Sequence, residues 1–317
     1  MRLVAGAQLG PYLVQSLVHE DGIAEVYRAR DTRLNCDVAL QLRQSPDGTD
    51  GFVRFMETCR RSALFSHPNI LAVYDFGWHD GRPFLVSELL QGETLRARLG
   101  AGRLATVTAA AIAMQIADGL EAAHLSGFVH AELKPENIFI AAGGRVKILN
   151  FGPARSLAET LELFQQDSPD SVMRAVVVKA LAYLSPEQAR AASIDHRTDI
   201  FSLGLMLHEM VTGVAPFRRH SPIETLLAIL RDDPPDLLGD HPNVPHDLDR
   251  VIRRCLEKDP ERRVQSARDL RSSLERTLPT LPAGTASRSS FMAVSDSVVA
   301  RVIADSTPVH GRSRRPA

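Results

Sequence analysis

Short β-favouring runs recur along the first part of the chain, at Tyr12-Leu13-Val14, Glu25-Val26-Tyr27, Val38-Ala39-Leu40 and Phe84-Leu85-Val86. Asp-Gly and Asp-Thr pairs separate them, so the pattern up to about Glu88 predicts strands joined by tight turns. One helical stretch is expected over residues 53–65. It must close before His67-Pro68-Asn69, because proline disfavours helical geometry in the residue ahead of it. After Thr94 the period lengthens. Ile112, Ile116, Leu120 and Ala123 fall at helical spacing in an Ala-rich segment that stops at Gly127. Two short strands follow, around 138–140 and 146–148, joined by Gly143-Gly144. A poorly patterned loop over 156–172 precedes helices at about 199–212, 222–231, 247–257 and 266–277. A strand-rich first third followed by a helical remainder predicts an α+β chain with two lobes.

The ends differ from this frame. Residues 1–9 read as a leader. From Pro279 the composition shifts to Ser, Thr, Pro, Gly and Arg, and residues 279–317 read as a flexible tail. Within it Phe291, Val294, Val298, Val302 and Ile303 fall on one helical face over 291–303. That stretch is either a fluctuating apolar patch or a helix that docks on this or another protein.

Composition narrows the classes. The 37 basic and 38 acidic residues leave a net charge of −1, which gives no footprint for nucleic acid or an anionic membrane. At 44% hydrophobic residues the chain is neither disordered nor collagen-like. Cys36, Cys59 and Cys255 are scattered and odd in number, fitting neither a zinc site nor a disulfide framework. The start lacks a secretory signal, and no apolar run approaches the roughly 18 residues of a spanning helix. A cytoplasmic location is expected. Lysine is scarce: Lys134, Lys147, Lys179 and Lys258 are the only four, and none lies in the first 133 residues.

The motifs carry the chemistry. His67-Pro68-Asn69-Ile70, His130-Ala131-Glu132-Leu133-Lys134-Pro135-Glu136-Asn137 and Asn150-Phe151-Gly152 come in that order. Ser185-Pro186-Glu187, Asp199-Ile200-Phe201-Ser202-Leu203-Gly204 and Asp259-Pro260-Glu261-Arg262-Arg263 follow. Over residues 10–278 this order resembles a bacterial-type serine/threonine protein kinase. The resemblance implies a bilobed protein-kinase-like fold with a small β-rich N-lobe (10–88), a larger helical C-lobe (89–278), and nucleotide between them.

Phosphoryl transfer rests on positioning and on stabilising charge spread over phosphate oxygens, and the family does this with defined residue types. Several are replaced here. In the glycine-rich loop His19, Asp21 and Ala24 stand where glycines are expected, and only Gly22 survives. Side chains there hold backbone N–H groups away from phosphates, and Glu20 and Asp21 add negative charge. Gln41 stands in place of the phosphate-pairing lysine. Arg43 shares its strand face and either reaches inward or stays solvated. Thr58 occupies the position of the lysine's glutamate partner, with Glu57 about 100° round the helix. Glu132 replaces the aspartate that accepts the substrate proton, and one added methylene shifts the carboxylate by about 1 Å. Ala131 removes the arginine that reads a phosphorylated activation loop. Asn150 replaces a metal-holding aspartate, and Mg²⁺ favours charged oxygens over an amide. Lys179-Ala180-Leu181 replaces Gly-Thr-Pro.

Other positions keep the family's residues. Lys134 and Asn137 match residues that contact phosphate and metal. Glu187 and Arg263 match a buried ion pair, and Asp199 a residue that holds the catalytic loop. Val26, Ala39 and Phe139 match the apolar sandwich for adenine, Glu88 and Leu90 the hinge, and Ser87 the gatekeeper. They line an adenine pocket or simply pack as core.

The expected function is that of a pseudokinase, a signalling or scaffold domain whose partner is an active kinase, a regulator or its own tail. No cofactor is required: weak ATP or ADP binding is the most the cleft offers, and magnesium is poorly held. Two alternatives stay open. One is a weak ATP-dependent serine/threonine kinase using Glu132, Lys134 and Asn137. The other is a metal-independent nucleotide sensor.

Overall fold

The structure, a computed structural model, describes residues 2–20, 24–43, 56, 57, 59, 60, 63, 65–151, 178, 181–241 and 243–278. A six-stranded antiparallel sheet forms the N-lobe: β1 (Gln8–Leu9), β2 (Tyr12–Glu20), β3 (Ala24–Asp31), β4 (Cys36–Arg43), β5 (Val73–His79) and β6 (Arg82–Glu88). Spatial order is β1-β2-β3-β4-β6-β5. Alternation along β4 decides which side chains face which way. Val38, Leu40 and Leu42 are buried with Leu9, Tyr12, Val14, Tyr27 and Val86 in one core. Ala39, Gln41 and Arg43 therefore point to the opposite face.

Two departures from the sequence pattern have clear causes. Residues 6–9, expected as leader, already pair with β2: Gly6 N–H donates to Val14 O and Val14 N–H to Ala7 O, both at 2.9 Å. Strand β5 was invisible to alternation because Asp75, Gly77 and His79 interrupt it. Its place is set by pairing with β6 and by Gly77, where a Cβ would lie 2.7 Å from the Phe84 ring.

The C-lobe opens with β7 (Gly92–Thr94), α1 (Leu95–Gly100) and α2 (Thr106–Leu125). Strands β8 (Ile138–Ala141) and β9 (Val146–Ile148) complete a second sheet in the order β7-β8-β9. Then follow α3 (Pro186–Ala189), α4 (Arg197–Thr212), α5 (Pro222–Arg231), α6 (Leu237–Asp240), α7 (His246–Cys255) and α8 (Ala267–Thr277). Helix α4 begins two residues before the expected start, α7 ends two residues short, and α6 had no sequence signal.

Helix α4 is buried along almost its whole length. It anchors the main core with Ile116 and Leu120 of α2, Leu248 and Ile252 of α7, and Leu270 and Leu274 of α8. Gly204 allows the close approach of α7, since a Cβ there would lie 2.6 Å from Cys255 Cβ. Residues 56, 57, 59, 60 and 63 belong to the expected first helix, with Cys59 fully buried beside Leu85. The expected loop over 156–172, the tail stretch 291–303, Gly22, Thr58, Lys179 and Ala180 lie outside the described residues. Among the described residues no helix is long and apolar enough to cross a membrane.

Candidate active site

The loop from His130 to Asn137 is shaped by bonds to its backbone. Asp199, at the start of α4 and fully buried, accepts from His130 N–H through Oδ2 and from Ala131 N–H through Oδ1, both at 2.8 Å. His124 Nε2 closes on the same Oδ2 at 2.8 Å. Gln188 donates to Ala131 O at 2.6 Å. These bonds hold Ala131 in the left-handed region at φ 59°, which costs a non-glycine residue about 1–2 kcal/mol. Glu132 N–H donates to His130 Nδ1 at 3.2 Å, so the ring's Nε2–H faces Leu149 O at 2.9 Å. Phe151 packs on the same ring at 4.7 Å between centroids.

Two amides meet next to this loop. Asn137 donates through Nδ2 to Glu132 O at 2.8 Å, and its Oδ1 accepts from Asn150 Nδ2 at 2.9 Å. Asn150 reaches it from a left-handed backbone, φ 61°, a conformation asparagine tolerates. Glu132 and Lys134 are half-buried, and Lys134 has no ion-pair partner among the described residues. Among the described residues no cluster of three or more His, Cys, Asp or Glu is placed to hold a metal ion.

Across the cleft, Val26 pairs with Gln41 and Ala39 with Ser87, all on the face turned away from the N-terminal core. Gln41 is half-buried next to Leu85 in the register. Arg43 acts electrostatically on Cys59, whose thiol burial pushes up to about 12. That places Arg43 on the side of the sheet that carries the helical segment. Ser87 is buried and donates to Glu88 O at 3.3 Å. Leu90 and Phe139 are half-buried, Phe139 opposite Lys147 in β8–β9.

Two clusters had no signal in the motifs. Lys147 Nζ lies 2.6 Å from Glu88 Oε1, which also accepts from Ala72 N–H at 2.8 Å. Glu88, the last residue of β6, thus offers its side chain to a C-lobe strand. A lysine inside the fully buried strand β9 was the available clue, since a buried ammonium requires a partner. The second cluster centres on Arg96, which donates to Glu136 at 2.7 Å and to Glu209 at 2.8 Å, and also to the Tyr183 hydroxyl. Tyr183 donates to Glu209. Burial, then the Glu209 charge, pushes the Tyr183 hydroxyl well above its ordinary pKa. The remaining pair is closed: Arg263 grips both oxygens of Glu187 at 2.6 and 2.7 Å, and Thr198 Oγ1 donates to Glu187 at 2.7 Å.

This arrangement of loop, anchor and ion pair agrees with sequence comparison. The family model "Protein kinase domain" matches residues 16–273. The chain belongs to the protein kinase family. Serine/threonine-protein kinase PknB of Mycobacterium leprae is 36% identical over 262 residues, covering 80% of this chain and 41% of the relative. The probable serine/threonine-protein kinase SCO3848 of Streptomyces coelicolor is 33% identical over 299 residues, covering 92% and 43%. This kinase-family chain therefore spans about two fifths of the length of these curated relatives. Among solved structures, the Mycobacterium tuberculosis PknI kinase domain superposes with a TM-score of 0.68 at 23% identity, covering 87% of this chain and 99% of that one. That likeness concerns the fold.

Proposed function

We propose that this chain is a pseudokinase, a bacterial-type kinase domain that binds a protein partner in cytoplasmic signalling and lacks efficient phosphoryl transfer. The observation that carries this reading is the amide pair. Asn137 and Asn150, at the positions where the family holds its metal, are neutral and hydrogen-bonded to each other at 2.9 Å. Mg²⁺ is a hard cation that dehydrates reluctantly and favours carboxylate oxygens. Asn137 is the residue the family itself uses, so the misfit lies at Asn150, a neutral amide that brings no charged oxygen and whose N–H occupies Asn137 Oδ1. Gln41 supports the reading, because an amide on β4 brings no charge to a phosphate and the first 133 residues hold no lysine to replace it. The intact Asp199 anchor and the Glu187–Arg263 pair have a structural use that outlives catalysis.

A second reading rests on one observation. The loop backbone is held as a catalytic loop would be, with Glu132 and Lys134 half-buried beside Asn137. This favours a weak serine/threonine kinase as the alternative.

Melting curves with ATP or ADP, each with Mg²⁺ or EDTA, separate the readings. A ligand at 100 times its Kd adds about 2.7 kcal/mol. No shift at millimolar nucleotide, and no radiolabel transfer from ATP to protein substrates, is the expected result. A Mg²⁺-dependent shift accompanied by transfer overturns it. A shift that survives EDTA without transfer would make the cleft a metal-independent nucleotide sensor. Restoring Gln41→Lys, Thr58→Glu, Glu132→Asp and Asn150→Asp together should create transfer activity if these four positions are what the frame lacks.

A further inference from the structure

Helices α7 and α8 flank an open groove of about 370 Å³ lined by the exposed Arg250 and Arg254 of α7 and Arg276 of α8. A second hollow of about 240 Å³ shares Arg254, Val264, Ser273 and Arg276 with it. Two carboxylates also line this groove, and both are engaged. Asp247 pairs with Arg250, and Asp269 accepts from Ser266 Oγ at 2.7 Å in the first turn of α8.

Nearby arginines are matched by carboxylates: Arg253 by Asp249 and Asp236, Arg271 by Asp118 and Glu275, Arg268 by Glu121. Arg254 and Arg276 are the exceptions. Among the described residues Arg254 has no hydrogen-bond or ion-pair partner, and Arg276 donates to the neutral Ser273 hydroxyl at 3.0 Å. Two guanidiniums without carboxylates, on two helices lining one groove together with the Ser273 hydroxyl, suit a doubly charged tetrahedral anion. Val251 and the buried Val264 add an apolar wall, which bare phosphate would not use and a flanking apolar side chain would.

The groove reaches Thr277, the last residue of α8, where the chain continues into the serine-rich segment. Ser290 follows Thr277 by thirteen residues and is followed by Phe291. An extended chain of that length spans roughly 40 Å, and tethering raises the local concentration of such a segment to about the millimolar range.

We propose that this groove is a phosphoserine-binding site whose occupant is the chain's own tail phosphorylated at Ser290. The phosphate meets Arg254 and Arg276, and Phe291 lies on the Val251–Val264 wall. The phosphoserine is supplied by an active serine/threonine kinase, which moves the γ-phosphoryl group of ATP to Ser290 Oγ and releases ADP and the hydroxyl proton. At pH 7 such a group carries about −1.5 to −2 charges. The groove contains none of the cleft residues, so this holds whether or not the cleft transfers phosphate.

Fluorescein-labelled peptides of residues 284–296, with Ser290 phosphorylated or unmodified, would be titrated into the full chain and followed by anisotropy. The phosphopeptide should bind at least about tenfold tighter, the worth of one charge-assisted contact. The doubly substituted Arg254→Gln, Arg276→Gln chain should melt like the parent and lose that preference. A full chain carrying phosphoserine at 290 should no longer take up the peptide. Equal binding of the two peptides, or a preference that survives the double substitution, overturns the site. Displacement of the peptide by inorganic phosphate at concentrations near the peptide's own Kd would leave a bare anion site and overturn the tail as occupant. So would unchanged peptide binding by the chain phosphorylated at 290.

Discussion

Asn150 hands its side-chain N–H to Oδ1 of Asn137 across 2.9 Å, and Asn137 in turn hands its own to the carbonyl of Glu132. This chain of bonds has one direction. Each amide donates toward the 130–137 loop, so that loop and the segment at Asn150 are joined directly, side chain to side chain and then to backbone.

Replacing Asn150 with aspartate reverses that relationship. A carboxylate would face Oδ1 of Asn137, two acceptors with no proton between them, and Asn137 could turn its N–H outward only by releasing Glu132 O. Asn150 is exposed, so water covers much of the new carboxylate; the Asn150→Asp chain should therefore lose about 1 kcal/mol and melt lower than the parent in EDTA. It should also show a rise in Tm with millimolar Mg²⁺ that is not expected of the parent. A parent chain that responds to Mg²⁺ as strongly as the variant would show that the amide pair is not what excludes the metal.

The buried pair in the C-lobe gives a larger effect. Burial alone would raise the Glu187 carboxyl, but the two-pronged Arg263 guanidinium outweighs it and holds the group below its ordinary range. Arg263 is fully buried, sits over the Phe201 ring at 4.9 Å, and also donates to the carbonyls of Glu257, Arg197 and Lys258. Arg263→Ala strands a buried carboxylate, and breaking such a pair costs about 3–5 kcal/mol. Urea denaturation should find most of that loss. A change below about 1 kcal/mol would mean the pair is not what braces these helices.

Much of this frame was legible in the sequence, for identifiable reasons. Val38, Leu40 and Leu42 alternate strictly because β4 buries one face, and α5 kept its expected bounds because Ser221 caps it and Pro222 opens it. The positions of Asp199, Glu187 and Arg263 could be named from family motifs. Their partners could be named only where the motifs supplied both members. The Arg96 cluster joins residues from α1, the catalytic loop, the approach to α3, and α4, and no local period links such distant positions. The Lys147–Glu88 pair was hidden for the same reason. The contact between Asn137 and Asn150 was equally silent: both substitutions could be read, but that they satisfy each other depends on the left-handed turn at Asn150.

Gly204 tests the packing of α4 on α7. Its missing side chain brings Cys255 Cβ to 2.6 Å and Leu256 Cδ2 to 3.1 Å of where a Cβ would stand. The first contact is to an inflexible atom, so helix α7 must shift. Gly204→Ala gains some helix propensity, up to about 1 kcal/mol, but overpacking of this kind costs about 1–3 kcal/mol. A lower Tm is expected, and a higher one would mean that α7 moves at little cost.

Acid should act first on His208, in the middle of the buried helix α4. Its Nδ1 lies 3.1 Å from Val214 O and 3.3 Å from Thr212 Oγ1, an arrangement that keeps the proton on Nδ1. Its Nε2 is buried with no partner among the described residues. A second proton would therefore be a buried charge with no acceptor. Burial lowers the ring's pKa to about 4; the Val214 carbonyl and Asp249 oppose this, and the His241 and Arg253 charges add to it. An unfolded histidine titrates near 6.5, so between about pH 6.5 and 4 the unfolded chain binds the extra proton and the folded chain does not. Stability is full above pH 6.5 and falls as pH drops toward 4, by about 3 kcal/mol for this residue alone. The Glu187 carboxyl adds its own loss at lower pH. Urea midpoints measured from pH 7 to 4.5 should decline in the parent and decline less in His208→Gln, which removes the titrating group at some cost in absolute stability. Parallel declines in the two chains would assign the acid sensitivity elsewhere.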